Sequence, residues 1–211
     1  MTSAREAILG AVRTSLGRGA LDDAQRAELD ARIPAHTRPA QDEDPVERFK
    51  RKFESRSGTV ARIDSREQIV AAVEAYRAAH DLKKKIAVGG ALRELKWPRG
   101  WKKHHDPAGI DEALSLTTCF AAVAETGSLV FASGPDNPIT HNFVPDDHIV
   151  VLEAKQIVAR FEDAWTVLRN RDTGMPRATN IVSGPSRTAD VEQTIQLGAH
   201  GPRRVHVILV G

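Results

Sequence analysis

The sequence predicts an α/β protein: a mostly parallel sheet with flanking helices and one antiparallel hairpin, preceded by a helical arm. Three observations carry the prediction. From Thr59 onward, short β-rich apolar runs alternate with helical stretches, the order expected of a parallel sheet covered by helices. Two of those runs are separated only by Glu125-Thr126-Gly127, too short for a crossover helix, so they form a hairpin. Ahead of them, Ala4, Ala7, Ile8, Ala11, Val12 and Leu16 recur at three- and four-residue steps and mark one apolar helical stripe.

Taken in order, that first helix is stopped by Gly17 and Gly19, and a weaker helical stretch runs from Asp22 to about Arg32. Pro34, Pro39 and Pro45 then flank Asp42-Glu43-Asp44, so residues 34–45 read as a linker, with an arm and linker over 1–45 and the α/β domain over 46–211. Strands are expected at 59–63, 85–88, 120–124, 128–132, 148–152, 180–182 and 204–210, and the clearest helices at 66–79, 161–169 and 188–197. Lys83-Lys84-Lys85 reads as a solvated helix end or strand entrance.

Composition excludes several classes. The 211 residues are 41% hydrophobic and 27% charged, the balance of a chain that buries a core. With 30 Lys plus Arg against 28 Asp plus Glu, the field is too weak for nucleic-acid affinity. Cys119 is the single cysteine, so these residues hold no internal disulfide and cannot supply the four thiolates that usually bind an iron–sulfur cluster. The charged start Met1-Thr2-Ser3-Ala4-Arg5-Glu6 is unlike a secretory signal, and no run of about 18 apolar residues occurs, so a cytoplasmic location without membrane partners is expected.

The stretch richest in chemistry is Ser183-Gly184-Pro185-Ser186-Arg187-Thr188-Ala189-Asp190, which follows an apolar strand and is expected to open a helix. Free N–H groups at a helix start, the Ser186 and Thr188 hydroxyls and the Arg187 guanidinium suit a small anion, although Ser186 or Thr188 acting only as a helix cap fits the same spacing. Glu125-Thr126-Gly127-Ser128 occupies the hairpin turn, where Glu125 projects either as a nucleophile or base or as a solvated charge. His141 and His200 stand in loops punctuated by glycine and proline. His104-His105-Asp106 is a further polar cluster, but none of these groups has zinc-ligand spacing. His206, inside an apolar strand, reads as a satisfied core or edge histidine, and Cys119 as a small buried hydrophobe. Gly89-Gly90 lacks both the phosphate-loop lysine and the dinucleotide fingerprint, so it gives a nucleotide cofactor no support.

Together, Glu125-Thr126-Gly127-Ser128-Leu129-Val130, the loop ending at His141, Gly184-Pro185-Ser186-Arg187-Thr188-Ala189-Asp190-Val191-Glu192 and Gly198-Ala199-His200-Gly201-Pro202 resemble the motif set of the lactate-utilisation protein C family, the LUD domain. The resemblance covers about residues 61–210. It implies a CoA transferase-like fold, shared with ribose-5-phosphate isomerase and formyltetrahydrofolate cyclo-ligase. It also implies an accessory role in oxidising L-lactate to pyruvate beside a cysteine-rich and an iron–sulfur subunit. That division of labour agrees with a chain holding one cysteine. Site residues carried by the resemblance are Glu125 as a catalytic carboxylate and Gly127, Ser128, His141, Gly184, Pro185, Ser186, Arg187, Thr188 and His200 around a small anionic metabolite. The resemblance leaves any cofactor unknown. The rival reading is a stand-alone CoA transferase-like or cyclo-ligase-like enzyme using Glu125, an analogy from fold, which does not fix function.

Overall fold

The computed structural model describes residues 3–17, 19–32, 41–190 and 194–211. The chain divides into two compact units, Met1–Ala40 and Gln41–Gly211. In the first, α1 (Ala4–Leu16) starts on a reciprocal cap: Ser3 Oγ accepts from Glu6 N–H at 3.2 Å while the Glu6 carboxylate accepts from Ser3 N–H at 2.8 Å. Gly17, at φ 63°, ends it. The second helix, α2 (Asp23–Ala31), is capped by Asp22 and Gln25 in the same way.

The second unit opens with α3 (Pro45–Glu54), which the apolar pattern alone left unassigned. Asp44 caps it by accepting from Val46 and Glu47 N–H at 2.9 and 3.1 Å, and Pro45 fits the first turn, where no donor is needed. Phe49 and Phe53, four residues apart, share one face with rings 5.5 Å apart, and both are fully buried. Two large apolar anchors, with Val46 partly buried beside them, suffice to seat this charged stretch.

The central sheet has six strands, all parallel: β1 (Thr59–Ile63), β2 (Lys85–Val88), β3 (Lys102–His104), β4 (Leu114–Thr118), β7 (Asp147–Glu153) and β12 (Arg204–Val210), in the order β1-β12-β7-β4-β2-β3. A second sheet of four strands holds β5 (Ala121–Val123), β6 (Ser128–Ala132), β8 (Ile157–Val158) and β9 (Thr179–Val182) in the order β8-β5-β6-β9. The expected hairpin is present as β5 and β6, pairing Ala121 with Val130 and Val123 with Ser128. It belongs to this second sheet, which the linear pattern did not separate from the first.

Alternation along the strands builds three hydrophobic clusters. One face of the parallel sheet (Leu114, Leu116, Ile149, Val151, Ile208) packs against Ile69, Val73 and Tyr76 of α4 (Ile69–Ala79). The opposite face (Val150, Leu152, Val205, Val207, Leu209) meets Leu129 and Phe131 of the second sheet together with Phe49 and Phe53. The outer side of the second sheet is covered by α6 (Phe161–Arg169), through Phe161 and Ala164 against Ala121, Val123 and Val130.

One expected helix is absent. Of the residues 188–197, those described form two antiparallel strands instead, β10 (Arg187–Asp190) and β11 (Thr194–Leu197), with Arg187 opposite Leu197 and Ala189 opposite Ile195. Apolar residues at 189, 191, 195 and 197 satisfy a two-residue period as well as a helical one. The β-branched Thr188, Thr194 and Ile195 decide for the strand. The central strand β4 was also unread, because Ser115 and Thr117 interrupt its apolar run; both are nevertheless buried.

Candidate functional site

Loss of that helix changes the chemistry of the 183–190 corner. Among the described residues no helix starts there, and what remains is a turn between two strands whose polar groups are tied to neighbours. Gly184 (φ 112°) lies against Arg56, where a Cβ would stand 2.8 Å from the Arg56 carbonyl oxygen. Ser128 Oγ shares hydrogen bonds of 2.7 Å with both Thr126 Oγ1 and Ser183 Oγ, forming a short chain of hydroxyls. Arg56 donates to the Thr126 carbonyl at 2.6 Å, and the Arg187 guanidinium donates to Ser57 Oγ. Ser186 ties in the 198–202 loop: its N–H donates to Pro202 O at 2.8 Å, its carbonyl accepts from Gly198 N–H at 3.1 Å, and its hydroxyl accepts from His200 N–H at 3.3 Å. Pro185 completes the turn, and the side chain of Thr188 lies outside the described residues.

The structure therefore brings together Gly127, Ser128, Gly184 and Arg187, and joins Ser186 to His200. Because Arg56 and Ser57 precede β1 and residues 200–202 precede β12, this rim stands at the amino-terminal ends of two parallel strands, not at the carboxyl ends where ligands favour open α/β sheets. Glu125 is half-buried at the hairpin turn, accepting from Phe161 N–H at 3.4 Å. The turn needs Gly127: at φ 62° a Cβ would stand 2.6 Å from the Phe53 backbone nitrogen.

His141 does not join them. It sits in the short helix α5 (Thr140–Phe143), fully buried, its carbonyl accepting from Ser115 Oγ at 2.6 Å and its Nε2 hydrogen-bonded to Asp106 O at 2.8 Å. Burial holds its pKa below the ordinary histidine value. His148, wholly buried beside Thr117 Oγ1 at 2.7 Å, is pushed down to about 3 by desolvation. His206 contacts Thr59 Oγ1 at 2.8 Å and stacks on Tyr76, as a satisfied core histidine does, and burial lowers it to about 4. Cys119 is buried and its thiol is pushed up to about 12, the state of an inert thiol. Among the described residues, no group of three or more His, Cys, Asp or Glu is placed to hold a metal ion.

The carboxyl ends of the strands carry a different feature, which motif reading missed. From β2 the chain moves outward to β3, whereas from β4 it moves the other way to β7, so the crevice between β2 and β4 is a topological switch point. An open cleft of about 560 Å³ lies there, lined by Thr118, Cys119, Phe120, the loop 132–137, Gln156, Arg171 and Thr173. Gly89-Gly90 ends β2 at this point, with Gly90 N–H donating to Asp136 O at 2.8 Å. The Gly-Gly pair after a strand and the Asp136-Asn137 loop were the available signals. Only the strand order reveals that they meet.

An α/β protein with a parallel sheet, a second sheet packed on it and a cleft at the switch point is the class the geometry defines. Residues 110–210 match the LUD domain family model. An uncharacterised protein of Neisseria meningitidis is 34% identical over 101 residues, covering 48% of this chain and 42% of that one. Lactate utilization protein C of an Exiguobacterium species is 33% identical over 100 residues (46% and 44%), and that of Bacillus licheniformis 28% over 140 residues (60% and 58%). The chain spans about half the length of the curated relatives it matches. A crystal structure of a DUF162 family protein from Deinococcus radiodurans superimposes with a TM-score of 0.59 at 20% identity, covering 82% of this chain and all of that one, which shows the shared fold. Over residues 110–210 the chain is similar to the LUD domain family, and proteins named lactate utilization protein C are among its relatives.

Proposed function

We propose that this chain serves L-lactate utilisation as an accessory subunit, binding a small anionic metabolite while cysteine-rich and iron–sulfur partner subunits carry the electrons from lactate to an acceptor. The observation that carries the reading is kinship with proteins named for lactate utilisation, joined to a cysteine content that leaves cluster ligation to other chains. Its one thiol is buried and raised, so it offers no exposed thiolate for exchange either. The anion site of this reading is the rim where Arg187 and Arg56 flank the hydroxyls of Ser57, Ser128 and Ser183, a set of cations and donors suited to a carboxylate.

Among the described residues, no helix is long and apolar enough to cross a membrane. The reading is tested in cells and in the tube. Deleting the chain is expected to slow growth on L-lactate, and a tagged copy to co-purify with cysteine-rich and iron–sulfur subunits; normal growth on lactate after deletion refutes the role. Lactate or pyruvate is expected to raise the melting temperature of the purified chain by mass action, with Arg187→Ala abolishing the rise.

A further inference from the structure

We propose a second ligand site in the cleft between the carboxyl ends of β2 and β4, built for a hydroxylated organic anion larger than a three-carbon acid. The proposal goes beyond the lactate reading and does not rest on it.

Four observations support it. The cleft's volume, about 560 Å³, falls in the range of roughly 300–1,000 Å³ typical of pockets for drug-sized ligands, far more than a three-carbon acid fills. Its walls are fixed by hydrogen bonds to the backbone. Ser133 N–H donates to Ala178 O at 2.9 Å, Ser133 Oγ accepts from Ala178 N–H at 2.9 Å, and Gln156 Nε2 donates to Cys119 O, just past the end of β4, at 3.0 Å.

The third observation is Arg171. Its guanidinium carbon lies 5.3 Å from the Phe120 ring centre, its Nη1 donates to Gly174 O at 3.4 Å, and among the described residues it forms no ion pair. The ring contact and the bond to Gly174 hold the group in place, and its remaining N–H donors can meet a carboxylate or phosphate.

The fourth is Asp136, the one carboxylate among the lining residues, which folds over the end of β2 because Gly90 carries no side chain; a Cβ there would stand 2.8 Å from the Asp136 Cγ. A carboxylate acceptor in a site that also holds a guanidinium selects a ligand bearing hydroxyl donors as well as an anionic group. The shared chemistry is that of a sugar acid, a sugar phosphate or a nucleotide.

Titration calorimetry of the full chain with gluconate, glucose 6-phosphate, ADP, pyruvate and inorganic phosphate tests the site and separates these sources. At least one of the first three is expected to bind more tightly than pyruvate and phosphate. Arg171→Ala should weaken that binding about tenfold or more, and Asp136→Asn should weaken the hydroxylated ligands selectively. Arg187→Ala, at the opposite ends of the strands, should leave it unchanged, so failure here and failure of the lactate reading are distinguishable. Circular dichroism of each variant guards against misfolding, and Ser133→Phe, which fills the cleft from its rim, provides a second loss-of-binding variant. No binding of any of the three hydroxylated anions up to about 10 mM, or binding indifferent to both Arg171→Ala and Ser133→Phe, overturns the proposal.

Discussion

Mild acid should destabilise this fold well above the pH at which carboxylates titrate, and two buried histidines set the size of the effect. His148 is held neutral to about pH 3 and His206 to about pH 4, against 6.5 for an ordinary histidine. The folded pKa is depressed, so as pH falls below about 6.5 the unfolded chain takes up a proton that the native chain refuses. Stability is then lost at about 1.4 kcal/mol per pH unit for each histidine, until the folded pKa is reached. Between about pH 7 and about pH 5 each loses about 2 kcal/mol, or about 4 kcal/mol for the pair, a large share of the roughly 5–15 kcal/mol that holds a typical domain. His141, shifted in the same direction, adds to the slope. The assay is urea unfolding at half-unit pH steps in this window. Replacing His148 by Gln, which can keep a hydrogen bond to Thr117, should remove one proton's worth of slope, and His206→Gln another. A wild-type slope near zero, or one unchanged in both variants, would refute the burial argument.

Two further predictions concern packing. Gly127→Ala should cost on the order of 2 kcal/mol or more, because the residue has φ 62° and its Cβ would meet the Phe53 and Lys52 backbone at 2.6 and 2.7 Å. Gly134→Ala, whose Cβ meets nothing within 4 Å, should stay within about 0.5 kcal/mol, and equal urea midpoints for the two would contradict the geometry. At the start of β7 the fully buried Asp147 accepts two bonds from Arg204, at 2.6 and 2.7 Å, and one from Tyr76 Oη at 2.7 Å. Arg204→Ala should cost about 2–3 kcal/mol, less than the roughly 3–5 kcal/mol of a fully buried pair because the Arg204 side chain is 45% exposed. Tyr76→Phe should cost about 1 kcal/mol on the same unfolding curve.

Much of the fold was legible where one local rule acted alone. The runs at β1, β2, β6 and β12 are apolar, β-branched and bounded by turns, and all four form strands at the expected residues. The three-residue spacing at 125–127 allows no connection but a hairpin, and the structure has one. Where two periods fit the same residues, local pattern could not choose, and residues 187–190 and 194–197 form paired strands because pairing Arg187 with Leu197 satisfies both backbones at once. Helix α3 escaped notice because two phenylalanines in a charged stretch look solvated until the sheet that buries them exists.

The sequence by itself determined the α/β class, the hairpin, the family motifs and the absence of a thiolate set within these residues, since each depends on composition or on neighbours a few positions apart. Only the tertiary structure decided that Ser128, Gly184 and Arg187 gather at the amino-terminal ends of the strands, that His141 lies buried apart from them, and that Ala91, Asp136 and Arg171 line one cleft. Strand order sets those meetings, and it is fixed by which apolar faces bury one another across scores of residues, a long-range choice that no local spacing records.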